Sequence, residues 1–128
     1  MKSVPLFQVD AFTDRLFSGN PAAVCPLEKA LSEEQMQSIA MENNLPETAF
    51  IDLSENPFRI RWFTPLAEID LCGHATLASS RILFDDYVDS DTKEIYFSSN
   101  SGALRVFKPV SYTHLRAHET REDLGCRV

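Results

Sequence analysis

An α+β fold, with short strands grouped around two helices, is predicted by three features of this 128-residue sequence. Two segments repeat apolar residues at helical spacing, and several others alternate or run apolar over strand-length stretches. Gly, Pro, Asn and Ser collect between them as turn chemistry. With 44% hydrophobic and 24% charged residues the composition is that of an ordinary globular domain, which excludes a disordered or fibrous class.

Val4 to Phe12 alternates and is rich in Val and Phe, and Ala22 to Leu27 is a short apolar run. Ser18-Gly19-Asn20-Pro21 lies between them, so the segment reads as strand, turn, strand. Ser32 followed by Glu33-Glu34-Gln35 has the form of a capping box, and Met36, Ile39 and Ala40 continue at helical spacing to Asn43-Asn44. Glu47 to Leu53 and Phe58 to Phe63 are strand-like and flank the break Ser54-Glu55-Asn56-Pro57. Beyond Thr64-Pro65 the chain passes Asp70-Leu71-Cys72-Gly73 and enters a second helix, His74 to Phe84. Ala75, Ala78 and Ile82 share one face there, widened by Leu77 and Leu83, so this helix is expected at the centre of the fold. Glu94 to Ser99 and Ala103 to Phe107 form a last hairpin around Asn100-Ser101-Gly102, whose glycine supplies positive φ.

The pattern stops near Pro109. Ser111 to Val128 has no sustained apolar period and holds two of the three histidines. Its run SYTHLRAHETR resembles translated vector or adapter sequence joined to an interrupted reading frame. Residues 1–109 are therefore expected to form one lobe, and residues 110–128 a non-native tail without structure. That tail is charge-neutral, so the body carries the whole formal charge of -7. An acidic surface with scattered basic residues argues against nucleic acid. No apolar run approaches the roughly 20 residues that cross a bilayer, and the start lacks a signal-peptide core, so a cytoplasmic protein without a membrane partner is expected. Cys25, Cys72 and Cys126 show no metal or disulfide spacing and are expected as reduced thiols.

Three places could carry chemistry. Gly73 stands directly before an apolar helix, where bare N–H groups and the helix dipole favour a carboxylate or phosphate; alternatively the glycine only eases a tight turn and His74 lies on the surface. Glu47 sits where a loop enters a largely buried strand, a setting suited to general acid/base work, unless it is simply a solvated strand end. Glu68 and Asp70 compete for the same role, and local sequence does not separate the three. Cys72, beside a helix N-terminus, reads either as a reactive thiol or as a small buried hydrophobe. His114 and His118, spaced i, i+4 within the tail, are not taken as ligands, and no metal site is expected.

Five separated motifs occur in order: VDAF, FSGNPAAV, NNLPETAFI, RWFTPLAEIDLCGHATLA and SNSGAL. Together, over about Val4 to Phe107, they resemble the N-terminal half of the PhzF-like (phenazine-biosynthesis-like) isomerases, which share their fold with diaminopimelate epimerase. The resemblance implies a mixed β-sheet rolled around a central helix as one of two similar lobes, with the active site between them. It implies an isomerase needing no cofactor, in which Glu47 shuttles a proton between carbons of a small cyclic or hydroxylated carboxylic acid. By the same resemblance Gly73 and Ala75 would offer N–H groups to the substrate carboxylate, His74 would position it, and Asn20 would line the pocket. Cys72 falls near a catalytic cysteine of the epimerases, but PhzF-like enzymes use the glutamate, so it is not expected to be catalytic. Family members are nearly twice as long and usually homodimeric, and the second lobe has no counterpart in this sequence. The competing expectations are an inactive fragment and an anion-binding module without turnover.

Overall fold

The computed structural model describes residues 4–11, 20–108 and 119–124. Its elements are β1 (Val4–Ala11), β2 (Asn20–Leu27), α1 (Glu33–Asn43), β3 (Glu47–Asp52), β4 (Phe58–Phe63), β5 (Glu68–Ile69), α2 (Gly73–Asp86), β6 (Glu94–Ser99), β7 (Gly102–Phe107) and β8 (Glu119–Leu124). They make one mixed sheet in the order β7-β6-β4-β3-β2-β1-β8, with β5 paired to β4 off this path. Two pairs are parallel, β2 with β3 and β4 with β6. Each needs a crossover, and α1 and α2 respectively lie in those two connections.

Strand parity assigns the two faces, because successive side chains point to opposite sides. Phe7, Val9, Ala22, Val24, Ala49, Ile51, Ile60, Trp62, Ile95 and Phe97 turn one way and form a core with Ala75, Ala78, Ile82, Leu83 and Phe84 of α2. Leu6, Ala23, Cys25, Leu27, Phe50 and Phe63 turn the other way and pack on Met36, Ile39 and Ala40 of α1. The sheet is thus covered on both faces, and α2 is the helix at the larger core. Leu77, expected on its apolar face, is instead 43% exposed.

Capping sets both ends of α1. Ser32 Oγ accepts from the Gln35 N–H at 3.1 Å and the Ser32 N–H donates to Gln35 Oε1 at 2.9 Å. Asn44 closes the helix in the left-handed region, φ 55°, a conformation asparagine tolerates. In α2 three buried hydroxyls donate one turn back: Thr76 to the Cys72 carbonyl (2.7 Å), Ser79 to Ala75 (2.7 Å) and Ser80 to Thr76 (2.9 Å). Polar residues can therefore sit inside the core without orphaned groups.

The body matches the sequence reading closely, including the positive φ of Gly102 at 101°. Two strands were not anticipated. One is the two-residue β5; the other is β8, antiparallel to β1 with Val4 opposite Leu124 and Val9 opposite Glu119. The expectation of a tail without structure therefore does not hold for Glu119–Leu124. Edge pairing uses backbone N–H and C=O groups and needs no apolar period, which is why periodicity does not reveal it. The turn at Ser18-Gly19, Cys126, His114 and His118 lie outside the described residues. Among the described residues no helix is long and apolar enough to cross a membrane.

Candidate active site

The site forms where the start of β3 meets the start of α2. Glu47 has the parity of Ala49 and Ile51, so its side chain emerges on the α2 face at the mouth of the sheet. The turn before it is held by Asn43, whose Oδ1 accepts the Leu45 N–H at 2.9 Å and whose Nδ2 donates to the buried Thr48 Oγ1 at 3.1 Å. Across the gap Cys72 is the N-cap of α2 in extended conformation. Its carbonyl accepts from the Thr76 N–H (3.1 Å) and the Thr76 hydroxyl (2.7 Å), and that hydroxyl in turn accepts from the buried Trp62 indole N–H at 3.0 Å. β4 thus anchors the helix N-terminus through a chain of hydrogen bonds.

These two anchored elements bring Glu47 and His74 together. Glu47 Oε2 lies 3.0 Å from His74 Nε2, and His74 Nδ1 lies 3.7 Å from Cys72 Sγ. The Glu47 and His74 side chains are 21% and 18% exposed, so the pair is reachable from solvent yet mostly enclosed. An N–H at Nε2 donates to the carboxylate and fixes its orientation. Burial pushes the Cys72 thiol up from its ordinary 9.0; the Ala75 and His74 N–H groups aimed at it pull the other way, while the nearby Glu47 charge adds to the rise.

The rival acids lie in other settings. Glu68 takes a forked pair of bonds from Arg61, Nε to Oε2 and Nη2 to Oε1, both 2.7 Å. The Arg61 guanidinium holds the Glu68 carboxyl below its usual range. Arg61 also reaches Glu33 at 2.7 Å, which ties β4 to α1 on the opposite face of the sheet. Asp70 is exposed, and its carbonyl accepts from Ser101 at the β6–β7 turn. Of the three acids, Glu47 is the one that meets His74.

The remaining expected site residues fall around this pair. Gly73 opens α2, and a Cβ there would meet no described atom within 4 Å, so neither packing nor positive φ demands glycine. Ala75 is fully buried, with its N–H directed at the Cys72 sulfur. Asn20 begins β2 two residues before Ala22, the register partner of Glu47. The parts that sequence reasoning missed are Thr76 and Trp62; a threonine four residues after an N-cap, with a tryptophan on the preceding strand, is the signal that points to them.

This arrangement can be set beside known proteins. The chain is 52% identical over 101 residues to an uncharacterized isomerase of Pseudomonas aeruginosa, covering 79% of this chain and 39% of that protein. It is 48% identical over 110 residues to the human phenazine biosynthesis-like domain-containing protein, covering 80% and 38%. A crystal structure of a PhzF-family phenazine biosynthesis protein from Enterococcus faecalis superposes with a TM-score of 0.80 at 51% identity, covering 85% of this chain and 42% of that one. A predicted epimerase of Pseudomonas aeruginosa superposes with a TM-score of 0.69 at 29% identity, covering 85% and 40%. The chain therefore spans about two fifths of the length of these relatives. The PhzC-PhzF family, described as phenazine biosynthesis-like protein, matches residues 9–127, through the segment set apart by its sequence pattern. With most of the chain matched and the fold shared, the protein belongs to the phenazine biosynthesis-like (PhzC-PhzF) family.

Proposed function

We propose that this chain supplies one lobe of a cytoplasmic isomerase that moves a proton between carbons of a small cyclic or hydroxylated carboxylic acid, without a cofactor, in a homodimeric protein of the relatives' full length. The observation that carries the reading is the 3.0 Å contact between Glu47 and His74 at the N-terminus of α2. A carboxylate held by an imidazole can take a proton from a substrate carbon as base and return it to another carbon as acid. One such group acting twice on one face gives isomerisation. The substrate carboxylate would lie at the helix N-terminus, where N–H groups and the helix dipole favour an anion and where Gly73 leaves open space. In this reading Gly73 and Ala75 contribute those N–H groups, Ala75 sharing its N–H with the Cys72 sulfur, Asn20 borders the pocket, and His74 positions both Glu47 and substrate. Cys72 stays a protonated, packed thiol, a role that fits the upward push on its titration.

The relatives named isomerases, and the structural neighbour named a predicted epimerase, support this chemistry. A second reading is favoured by the two-fifths coverage of those relatives: this lobe alone binds an anion at α2 and turns nothing over. The experiment that separates them is substitution in a protein of the relatives' full length that carries this lobe. A general acid/base contributes about 10²–10⁴-fold. Glu47→Gln should lower kcat at least about a hundredfold with KM nearly unchanged. Turnover unaffected by this substitution would refute the assignment of Glu47.

A further inference from the structure

The grouping of Glu47, Cys72 and His74 offers a second chemistry that proton transfer does not use. One carboxylate oxygen, one imidazole nitrogen and one sulfur lie within 4.8 Å of one another. A tetrahedral ion with ligand bonds of about 2.0–2.3 Å places its ligand atoms about 3.3–3.6 Å apart. Glu47 Oε2 stands 3.0 Å from His74 Nε2 and Cys72 Sγ 3.7 Å from His74 Nδ1, so each neighbour lies near that span from one of the two ring nitrogens. His74 turns Nε2 to Glu47 and Nδ1 to Cys72, so binding one ion requires the ring to reorient until a single nitrogen faces both neighbours. We propose that Glu47, Cys72 and His74 form a binding site for a thiophilic divalent cation of the zinc class.

The donor set selects the ion. A thiol and an imidazole with a single carboxylate suit Zn²⁺ and its stand-in Co²⁺, whereas Mg²⁺ and Ca²⁺ require mostly oxygen ligands. Cys72 enters as the thiolate and gives its proton to solvent as the ion binds. The ligands are held on ordered element ends: Cys72 through its carbonyl's bonds to Thr76, His74 in the first turn of α2, and Glu47 at the first residue of β3. Such support keeps a ligand set near coordinating geometry. Three protein ligands with two partly exposed side chains leave a fourth position for water or an anion, the pattern of an open rather than a structural zinc site. The ion would tie up the Glu47 carboxylate and exclude it from proton transfer. That inhibitory consequence rests on the isomerase reading; the site itself does not.

The test uses the 128-residue chain, freed of metal and titrated with Co²⁺. One equivalent should give a near-ultraviolet sulfur-to-cobalt charge-transfer band together with visible bands of tetrahedral cobalt, and one equivalent of Zn²⁺ should remove both. Cys72→Ser should abolish the charge-transfer band. Glu47→Gln and His74→Gln should each weaken binding at least about tenfold. The double variant His114→Ala, His118→Ala should bind as the parent does. Because a substitution could disturb folding, protection of Cys72 from alkylation by one equivalent of Zn²⁺ is measured on the unaltered chain, by mass spectrometry of its peptide. Absence of the charge-transfer band, an unchanged band in Cys72→Ser, loss of binding in the double variant, or no protection of Cys72 each overturns the proposal. None of these readouts depends on turnover, so they decide the metal site whether the isomerase reading stands or fails.

Discussion

Thr76 connects the core to the candidate site, and replacing it with valine isolates that connection. Valine has nearly the volume of threonine, so no cavity opens, but the hydroxyl that accepts from Trp62 Nε1 at 3.0 Å is lost. Trp62 is 1% exposed, which leaves its indole N–H buried and unpaired, at about 1–3 kcal/mol. The Cys72 carbonyl is affected less, because it keeps the Thr76 N–H at 3.1 Å. For a domain of about 100 residues, 1 kcal/mol corresponds to roughly 4–8 °C in Tm, so a loss of about 2 kcal/mol lowers Tm by about 8–16 °C. Differential scanning calorimetry on Thr76→Val, on Trp62→Phe and on the double variant reads this directly. In the Trp62→Phe background no N–H remains to be orphaned, so adding Thr76→Val should be nearly neutral, giving a coupling of about 1–3 kcal/mol. Equal losses from Thr76→Val in both backgrounds would refute the argument, since the loss would then be unrelated to the indole.

Three further outcomes follow from the same structure. Ser32→Ala removes the acceptor of the Gln35 N–H and half of the capping box, and should cost about 0.5–2 kcal/mol, read by denaturant midpoint with amide exchange accelerated in the first turn of α1. Glu68 has a folded value below its ordinary 4.5, so the stability that it contributes is fully present above 4.5 and is lost as pH falls through the depressed value. Glu68→Gln should therefore flatten that part of the acid limb in urea unfolding between about pH 5 and pH 2. The Cys72 thiol, pushed up mainly by burial and partly by the Glu47 charge, should react with iodoacetamide at pH 7.5 at least about tenfold more slowly than an unstructured thiol. Glu47→Gln removes that charge and should speed the reaction; a slower reaction would contradict the sign.

Much of this architecture is legible in the amino-acid order because local chemistry and global fold agree. Ser32 with Gln35 announces the start of α1, Asn44 its end, and Gly102 the hairpin between β6 and β7. Alternation in β3 is enough to put Glu47 on the face of Ala49 and Ile51. What alternation cannot supply is the partner across the fold. Glu47 and His74 are 27 residues apart, and their meeting depends on the parallel register of β2 with β3 and on where α2 begins beneath it. For the same reason Glu47, Glu68 and Asp70 look alike in sequence, and the contacts that tell Glu47 from Glu68, His74 on the one and the Arg61 fork on the other, exist only in three dimensions. Leu77 shows the opposite failure: it fits the apolar helical pattern but projects from the surface at the end of α2 that bears the site. β8 was hidden because its pairing is a backbone matter.

The central claim, that Glu47 carries the migrating proton, is tested most directly by solvent-deuterium incorporation at the isomerised carbon. The measurement compares a protein of the relatives' full length that carries this lobe with its Glu47→Gln, His74→Ala and Cys72→Ala variants. Glutamine keeps the size and hydrogen bonding of glutamate but has no proton to transfer, so exchange in Glu47→Gln should fall at least about a hundredfold. His74→Ala should reduce both binding and exchange, because the imidazole that holds Glu47 Oε2 at 3.0 Å is gone. Cys72→Ala should exchange at nearly the parent rate. Exchange that persists in Glu47→Gln and stops in Cys72→Ala would contradict the account and assign the proton to the thiol.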